Sequence, residues 1–382
     1  MQHQGSGAGR VLVVGGGVAG FAMMRALDQQ GIPALLVDRL KGPPDFGLGL
    51  NLPGNAVRAL RSLGVGDELR SRGVPVRRRE YRNARGRLMF AVDEAGFWGS
   101  EAGSICALRG DVWQLLSSGV SASAVRWATP VTAVSEPGRE IEVSFGNAAA
   151  ESYDFVIGAD GVHSAVRTSI FGLSAPRVAL LSAASWRFVT PNPGVDCWSV
   201  WSGPAGTFLM IPVDAERVYG YASATRGGPV DADRRWLEST FGNYPEPVRS
   251  AVSSVLAEPA SLYHSPVEEI RLDSWHRGRA VLIGDAAHAT APVWAQGAAL
   301  AAEDALVLAE LLATREDWAT VGGEFEARRR PRVHHVQKMT DRMSRAAALP
   351  SWVRDAILPL VGPRTYRATF EPLREPVVAS RS

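Results

Sequence analysis

A glycine-rich turn near the start of the chain is the feature that most constrains its fold. Residues 10–14 form a short valine-rich run, and Gly15, Gly17 and Gly20 follow with the spacing Gly-x-Gly-x-x-Gly. Residues 21–27 then carry apolar side chains at helical spacing. In such a strand–turn–helix unit the first glycine makes the turn, the second lets a pyrophosphate approach the backbone, and the third lets helix and strand pack closely. The pattern predicts a Rossmann-like dinucleotide site with phosphate at the helix N-terminus.

An acidic residue follows the next predicted strand. Residues 34–37 form an apolar run that ends at Asp38, and Arg39 comes directly after it. An acid about 20 residues beyond the glycines suits a contact with a ribose hydroxyl. The alternative is a glycine-rich turn that binds nothing, but turn, helix and acid in this order favour a binding site.

Two more polar turns follow apolar runs further along the chain. Residues 155–157 lead into Gly158-Ala159-Asp160-Gly161, and residues 280–283 lead into Gly284-Asp285-Ala286-Ala287-His288. An isolated Asp-Gly would predict only a turn. Ser164 is placed to cap a helix after the second motif.

The three motifs together resemble the single-component FAD-dependent aromatic hydroxylases. The resemblance covers most of the chain and implies FAD as cofactor, NADH or NADPH as electron donor and O2 as co-substrate. It implies an α/β fold: a Rossmann-like FAD-binding domain of the GR2 type, an inserted mixed β-sheet substrate domain and a helical C-terminus. Many relatives carry Gly-Gln-Gly-Asn where this chain has Ala295-Gln296-Gly297-Ala298, which is similar to the branch acting on salicylate, hydroxybenzoates and hydroxynicotinates.

The resemblance also implies which residues bind FAD. In relatives the aspartate matching Asp285 accepts a hydrogen bond from the ribityl chain, and the arginine matching Arg109 reaches the phosphate or ribityl region. Backbone N–H groups of residues 291–299 would stabilise negative charge on the reduced flavin. The loop at residues 47–49 is either a flavin contact or an ordinary loop capped by Asn55. The predicted cofactor-binding residues are Gly15, Gly17, Val18, Ala19, Gly20, Asp38, Arg39, Leu48, Gly49, Arg109, Val131, Asp160, Gly161, Asp285, Pro292, Ala295, Gln296, Gly297, Ala298 and Ala299.

Candidate substrate residues are fewer. Arg187 follows Trp186 in the predicted substrate sheet and is expected to anchor a carboxylate or phenolate, or else to form an ion pair between domains. Tyr219 and Tyr221 alternate on a strand, so Tyr221 is a candidate hydrogen-bond donor to substrate. Trp294 is expected beside the flavin, where it would narrow the pocket. His288 is interpreted as structural rather than as a base.

The predicted domain organisation is discontinuous. Residues 1–9 are expected to form a disordered lead-in, and residues 77–82 an exposed basic strand. The tail is expected to pack over the substrate domain, with a dimer contact or a membrane surface as alternatives. The FAD-binding domain is predicted at 10–75, 100–172 and 266–345, the substrate domain at 76–99 and 173–265, and a C-terminal helical segment at 346–382.

The implied activity is insertion of one O2-derived oxygen into a small aromatic or heteroaromatic substrate through a flavin C4a-hydroperoxide. The alternatives are a related FAD oxidoreductase performing epoxidation, N-hydroxylation or dehydrogenation, and a flavin-binding scaffold without activity. A halogenase is disfavoured, because the strand at residues 208–212 lacks the Trp-x-Trp-x-Ile-Pro pattern and no suitable lysine exists.

Composition excludes several other classes of function. A net charge of +2 disfavours nucleic acid as a partner, and no apolar run reaches the about 20 residues that span a bilayer. Cys106 and Cys197 stand alone, without the spacing of a disulfide framework or a zinc site. We therefore expect a cytoplasmic monomer or homodimer with no metal and no stable membrane association.

Overall fold

A computed structural model describes residues 10–379 except residues 44–46, 101, 137, 139, 147, 173–176, 225–232, 259–261 and 348. The predicted lead-in at residues 1–9 lies outside the described residues. The strands are β1 (Val11–Val14), β2 (Ala34–Val37), β3 (Gly49–Leu52), β4 (Val74–Pro75), β5 (Arg78–Asn83), β6 (Leu88–Asp93), β7 (Ile105–Leu108), β8 (Val125–Arg126), β9 (Val131–Ser135), β10 (Ile141–Phe145), β11 (Glu151–Tyr153), β12 (Phe155–Gly158), β13 (Arg177–Pro191), β14 (Trp198–Ser202), β15 (Gly206–Pro212), β16 (Arg217–Ala224), β17 (Tyr263–Arg271), β18 (His276–Arg277) and β19 (Ala280–Leu282).

The helices connect and cover these strands. Short 3-10 turns also occur, among them Pro292–Trp294. The helices are α1 (Val18–Gln29), α2 (Gly54–Ser62), α3 (Gly66–Arg72), α4 (Glu94–Trp98), α5 (Arg109–Ser117), α6 (Ala165–Phe171), α7 (Arg235–Phe241), α8 (Val248–Ala257), α9 (Asp285–His288), α10 (Gly297–Thr314), α11 (Val321–Ala347) and α12 (Ser351–Phe370).

A six-stranded sheet carries the motif-bearing strands. Its order is β18-β19-β12-β1-β2-β8, and every neighbouring pair except β18–β19 is parallel. All four residues of β1 are buried, as expected of a strand covered on both faces. The helix α1 crosses over from β1 to the parallel neighbour β2, which is the βαβ unit that the glycine spacing predicts. The Rossmann-like fold is therefore confirmed.

The strands of a second, seven-stranded sheet come from two segments of the chain that lie, in sequence, between strands of the six-stranded sheet. The order of the seven-stranded sheet is β17-β13-β16-β15-β14-β5-β6, with β14–β5 parallel and the other pairs antiparallel, so the predicted mixed sheet is confirmed. Trp186, Phe208 and Phe241 belong to a buried cluster between this sheet and the helices α7 and α8. The strand β17 crosses the predicted boundary at residue 265, and the domain boundaries themselves stay predictions.

The C-terminal helix α12 packs on the outer strand β6 of the seven-stranded sheet. Gly362 lies against the ring of Phe90, and the Asn83 side chain donates a 2.9 Å hydrogen bond to Asp355. Trp352 and Leu360 of the same helix are 75% and 72% exposed. The predicted helical C-terminus is thus confirmed.

One prediction in this region is wrong in part: Arg77 and Arg78 of the arginine-rich strand are exposed, but Arg79 is buried. Arg79 is 1% exposed on β5, and its Nη2 donates a 2.7 Å hydrogen bond to Glu94, which is itself fully buried. Tyr366 of α12 donates to the other Glu94 oxygen at 2.6 Å. Burial, the largest single effect, would lower the pKa of Arg79, but the charge and hydrogen bond of Glu94 together with the nearby Tyr366 and Tyr81 raise it. Because α12 covers β5, the side chains of β5 on the covered side lose contact with water. A charged side chain there therefore needs an oppositely charged, hydrogen-bonded partner.

We expect Arg79→Leu to lower the free energy of unfolding by about 3–5 kcal/mol, because it leaves the buried Glu94 charge without its partner. The matched control is Arg78→Leu on the same strand. Arg78 is about half exposed where it pairs with Glu80, so that loss should stay below about 1 kcal/mol. Denaturant unfolding followed by circular dichroism measures both. Equal losses for the two variants would contradict the importance of the Arg79–Glu94 pair.

Candidate active site

The three polar turns meet at one edge of the six-stranded sheet. Ala159 donates its backbone N–H to Val14 at 2.8 Å, and Ile283 donates to Gly158 at 2.9 Å, so β1, β12 and β19 run side by side. Parallel strands end at the same edge, and ligands of such sheets bind outside the carboxyl ends of the strands. The motifs, far apart in sequence, therefore form one continuous rim.

The glycines of the turn after β1 fall into two groups: those where an added Cβ would clash with the protein, and one where it would not. Gly15 has φ +110°, and a Cβ added there would lie 2.5 Å from the Ala159 carbonyl oxygen. A Cβ at Gly20 would overlap the Gly15 carbonyl oxygen. By contrast, a Cβ at Gly17 would meet no protein atom within 4 Å. The protein's own packing explains Gly15 and Gly20, whereas open space is left at Gly17 for a ligand to approach the backbone.

Other predicted residues line the same turn. Ala19 faces the third motif, since its methyl lies 3.1 Å from where a Cβ on Gly284 would be, while the neighbouring Val18 is buried. Asp38 accepts hydrogen bonds from Gly16 N–H at 2.5 Å and from Leu40 N–H at 2.7 Å. Arg39 beside it is exposed. The acid is therefore held against the glycine turn, where the sequence predicts a ribose.

The middle motif presents a carboxylate with one unused oxygen. Asp160 Oδ2 accepts from the N–H groups of Ala165 and Val166 at 2.7 and 3.2 Å, whereas Oδ1 is buried without a hydrogen-bond partner among the described residues. Burial raises the pKa of Asp160, and its hydrogen bonds oppose that shift. Ser164 accepts from Arg167 N–H at 2.9 Å, which confirms the predicted helix cap. Gly161 turns the chain at φ +78°.

The third motif and the loop after it form the remaining side of the rim. Asp285 is the exposed first residue of α9, and a Cβ at Gly297 would lie 3.8 Å from its Oδ1. The 3-10 turn that begins at Pro292 leads to Ala295, which has φ +54°, and α10 then starts at Gly297. The N–H groups of Gly297, Ala298 and Ala299 stand in the first turn of α10, where helix amides have no intrahelical partner. An anionic group would be stabilised there.

The side chain of Gln296 points away from this rim. It is fully buried, and its Oε1 accepts a 2.9 Å hydrogen bond from Asn55. Any cofactor contact of Gln296 is thus restricted to its backbone. The alternative in which Asn55 caps an ordinary loop is not supported, because α2 begins at Gly54 after Pro53 and no side-chain cap is formed. The Asn55 amide instead crosses to the third motif, a pairing between distant segments for which the sequence carries no local signal.

The flavin-side loop and the substrate sheet come into contact at β3. The ring of Tyr219 packs on Gly49 so closely that no side chain would fit there, and Leu48 accepts the backbone N–H of Arg109 at 2.8 Å. Arg109 begins α5 and is half-buried. Burial lowers the pKa of Arg109, Asp285 opposes that shift, and the nearby Arg187 charge adds to it. Predicted cofactor and substrate residues therefore lie within electrostatic reach of one another.

Arg187 has the properties of an anion anchor. It lies on β13 opposite Tyr221 of β16, and its guanidinium carbon is 6.0 Å from the centre of the Tyr263 ring. Its Nε is buried without a hydrogen-bond acceptor in the described part of the chain, and none of the ion pairs found there involves Arg187. Burial raises the pKa of Tyr219 and Tyr221, so both phenols stay protonated donors at neutral pH. The alternative of an inter-domain ion pair is not observed among the residues that the structure describes.

Three predicted residues lie apart from this cluster. Trp294 is 6% exposed, and its indole packs edge-on against Phe370 of α12 with 6.0 Å between the ring centres, while its place in the substrate pocket stays a prediction. The helix α12 supplies an apolar surface that takes up the ring. His288 is buried with Nε2 2.7 Å from Asp304, which agrees with a structural role. Val131 is buried in β9, and its contact with the cofactor stays a prediction.

The described residues contain neither a cluster typical of a metal site nor a helix that could span a membrane. No group of three or more His, Cys, Asp and Glu side chains is arranged to hold a metal ion in the ranges that the structure covers. Within those same ranges, no helix has both the length and the apolar character needed to cross a membrane.

The chain is similar to characterised flavoproteins over nearly its whole length. A family model described as FAD binding domain matches residues 9–342. The 3-amino-4-hydroxybenzoate 2-monooxygenase of Streptomyces cremeus is 31% identical over 359 residues, which cover 89% of this chain and 88% of that enzyme. The 2-heptyl-3-hydroxy-4(1H)-quinolone synthase of Pseudomonas aeruginosa is 29% identical over 367 residues, 92% of this chain and 94% of that enzyme. The crystal structure of Klebsiella pneumoniae HpxO complexed with FAD and uric acid matches with a TM-score of 0.80 at 25% identity, covering 96% and 93% of the two chains.

The chain therefore belongs to the FAD binding domain family. This confirms the resemblance to single-component FAD-dependent aromatic hydroxylases and confirms FAD as the cofactor. The protein is an enzyme of the FAD-dependent monooxygenase class. The open space at Gly17, the unused Asp160 oxygen and the amides at the start of α10 fit a bound FAD, while the individual contacts stay predictions.

The two kinds of glycine lead to a test of where FAD binds. We expect Gly17→Ala to leave the thermal unfolding of the apoprotein unchanged but to lower the FAD content, because only the ligand occupies that space. We expect Gly20→Ala to lower both, because its Cβ overlaps the backbone of Gly15. FAD per chain is measured by absorbance after release, and unfolding by calorimetry. A Gly17→Ala protein with the wild-type FAD content would show that the pyrophosphate does not approach this turn.

Proposed function

We propose that the enzyme hydroxylates a small aromatic or heteroaromatic compound that carries an anionic group, either a carboxylate or a phenolate. Two electrons come from NADH or NADPH. One atom of O2 enters the substrate, and the other leaves as water. Bound FAD supplies the activation of oxygen. The observation that carries the proposal is Arg187, whose buried Nε has no acceptor among the described residues and whose charge acts on the cofactor-side Arg109.

The residues of the sheet have separate roles in this proposal. Arg187 binds the anionic group of the substrate, because a guanidinium pairs with carboxylate oxygens in a planar, two-bond geometry. Tyr221, opposite Arg187 on the next strand, donates a hydrogen bond and orients the ring. Trp294, whose indole packs on Phe370 of α12, lines the pocket beside the flavin and helps to exclude water.

The names of the relatives support a small ring as substrate, since an aminohydroxybenzoate and a quinolone appear among them. The first of these rings carries a carboxylate, and the match with that enzyme is the higher in identity, which favours an aromatic acid. We further propose a cytoplasmic location and a monomer or homodimer, with no nucleic acid and no stable membrane association. These last proposals rest on the chain's composition and its balanced net charge of +2.

The first experiment is oxidation of NADH and of NADPH by the FAD-loaded enzyme in air, with and without a panel of aromatic acids and phenols. We expect an aromatic acid to accelerate the oxidation and to gain one oxygen by mass, with the label appearing when ¹⁸O2 is supplied. A product that loses two hydrogens, or gains oxygen on nitrogen, would replace hydroxylation by dehydrogenation or N-hydroxylation. Oxidation that only produces peroxide with every compound would contradict the proposal.

The role of Arg187 has its own test. We expect Arg187→Met to raise KM for a carboxylate-bearing substrate about 100-fold, or about 2.7 kcal/mol, because a desolvated charge pair is lost. The FAD content should not change. The control is Arg217→Met on the same sheet, where an exposed arginine pairs with Asp214 and no change in KM is expected. An unchanged KM in Arg187→Met would mean that another group binds the anion.

A further inference from the structure

A carboxylate behind the third motif holds the turn that carries Asp285. Asp304 of α10 is fully buried, and its Oδ2 accepts the backbone N–H of Gly284 at 2.9 Å and lies 2.7 Å from His288 Nε2. Its Oδ1 accepts from Arg329 Nε at 2.8 Å. Burial by itself would raise the pKa of Asp304, but His288 and Arg329 outweigh burial and lower it. The Gly284 amide is therefore held by a charged acceptor.

A second carboxylate, next to the first in sequence, reaches the other flavin-side loop. Glu303 Oε2 accepts from Arg329 Nη2 at 2.9 Å, and its Oε1 accepts from Asn55 Nδ2 at 3.2 Å. The Asn55 amide in turn pairs with the amide of Gln296 in both directions, at 2.9 and 3.3 Å. Gln296 immediately precedes α10, whose first N–H groups form the anion-stabilising end of the rim.

One guanidinium thus joins both loops. Arg329 of α11 is 1% exposed and contacts Glu303 and Asp304 together, while Arg332 supplies the second positive charge at 2.8 Å from Glu303. Two acids and two arginines balance in charge. Such buried ion pairs are costly to desolvate, and apolar residues of the same volume are often equally stabilising, so stability is a weak reason for them. Directional hydrogen bonds, in contrast, fix the positions of the side chains and loops that they join.

We infer that Asn55, Glu303, Asp304 and Arg329, here called the loop-anchoring network, position the Gly284–Asp285 turn and the residue 295–297 loop relative to each other and so orient bound FAD. The network residues act through these loops and not by touching the cofactor. Asn55 is the positioning residue for the second loop. The inference rests on the FAD-dependent part of the proposed function, and its readouts need neither aromatic substrate nor NAD(P)H.

The test is a double-mutant cycle of Asn55→Leu and Gln296→Leu, measured on the full chain. We expect each single variant to raise the dissociation constant of FAD about tenfold, the loss expected of a buried hydrogen-bonded pair. The double variant should lose no more than Asn55→Leu alone, because Gln296→Leu removes only the two Asn55–Gln296 bonds that Asn55→Leu already removes. The midpoint potential of bound FAD should become more negative, because the α10 amides are less well aimed at the anionic reduced flavin.

The matched control is Gln337→Leu, which removes one buried side-chain amide bond, to the Ile270 carbonyl oxygen at 3.2 Å, outside the network. It should lower the thermal unfolding temperature without changing the FAD potential. If Asn55→Leu fails to fold, Gln296→Leu alone carries the test, since it leaves Asn55 paired with Glu303. Variants that lose stability but keep the wild-type midpoint potential and FAD affinity would overturn the inference. Additive losses of FAD affinity in the double variant would also overturn it. A failed substrate panel would overturn only the substrate assignment.

Discussion

Parallel pairing of β1, β12 and β19 is the interaction on which the rest of the structure depends. The register places the glycine turn, Asp160 and Gly284 at one edge, because parallel strands all end in the same direction. Once these turns are neighbours, the helices that follow them, α1, α6 and α10, direct their N-termini to the same rim. A single sheet therefore collects cofactor-binding groups from three distant parts of the chain.

The second sheet is useful because of where it touches the first unit. Contact between Gly49 and Tyr219 brings β16 against the loop whose Leu48 accepts the backbone N–H of Arg109, so predicted cofactor residues and predicted substrate residues share one region. The absence of a side chain at Gly49 allows this approach. In the same way, Gly362 lets α12 lie directly on Phe90, and Tyr366 then reaches Glu94. Close backbone approach, rather than added polar contacts, sets the distance between layers.

Local patterns were sufficient for the elements and for the motifs. The fold class, the βαβ unit, the Ser164 cap and the FAD family all follow from short stretches in which periodicity and turn residues agree. One expectation about a side chain was wrong, and one open alternative is not observed. Arg79 was expected in solvent but is buried against Glu94 under α12, and Asn55, considered as a loop cap, pairs instead with Gln296 on a distant segment. The acids Glu303 and Asp304, which interrupt the apolar α10, were the available signal for the buried network, but nothing local identifies Arg329 as their partner.

The sequence by itself determined that the chain folds around a dinucleotide, that the dinucleotide is FAD, and in which order its binding turns occur. These properties depend on backbone geometry at glycines and on strand–turn–helix periodicity, which act over a few residues. Only the tertiary structure decided which polar side chains are buried and with whom they pair. The pairing of buried polar side chains depends on the loss of water between packed layers. A buried charge is stable there only if the fold places a partner from another segment within hydrogen-bond distance.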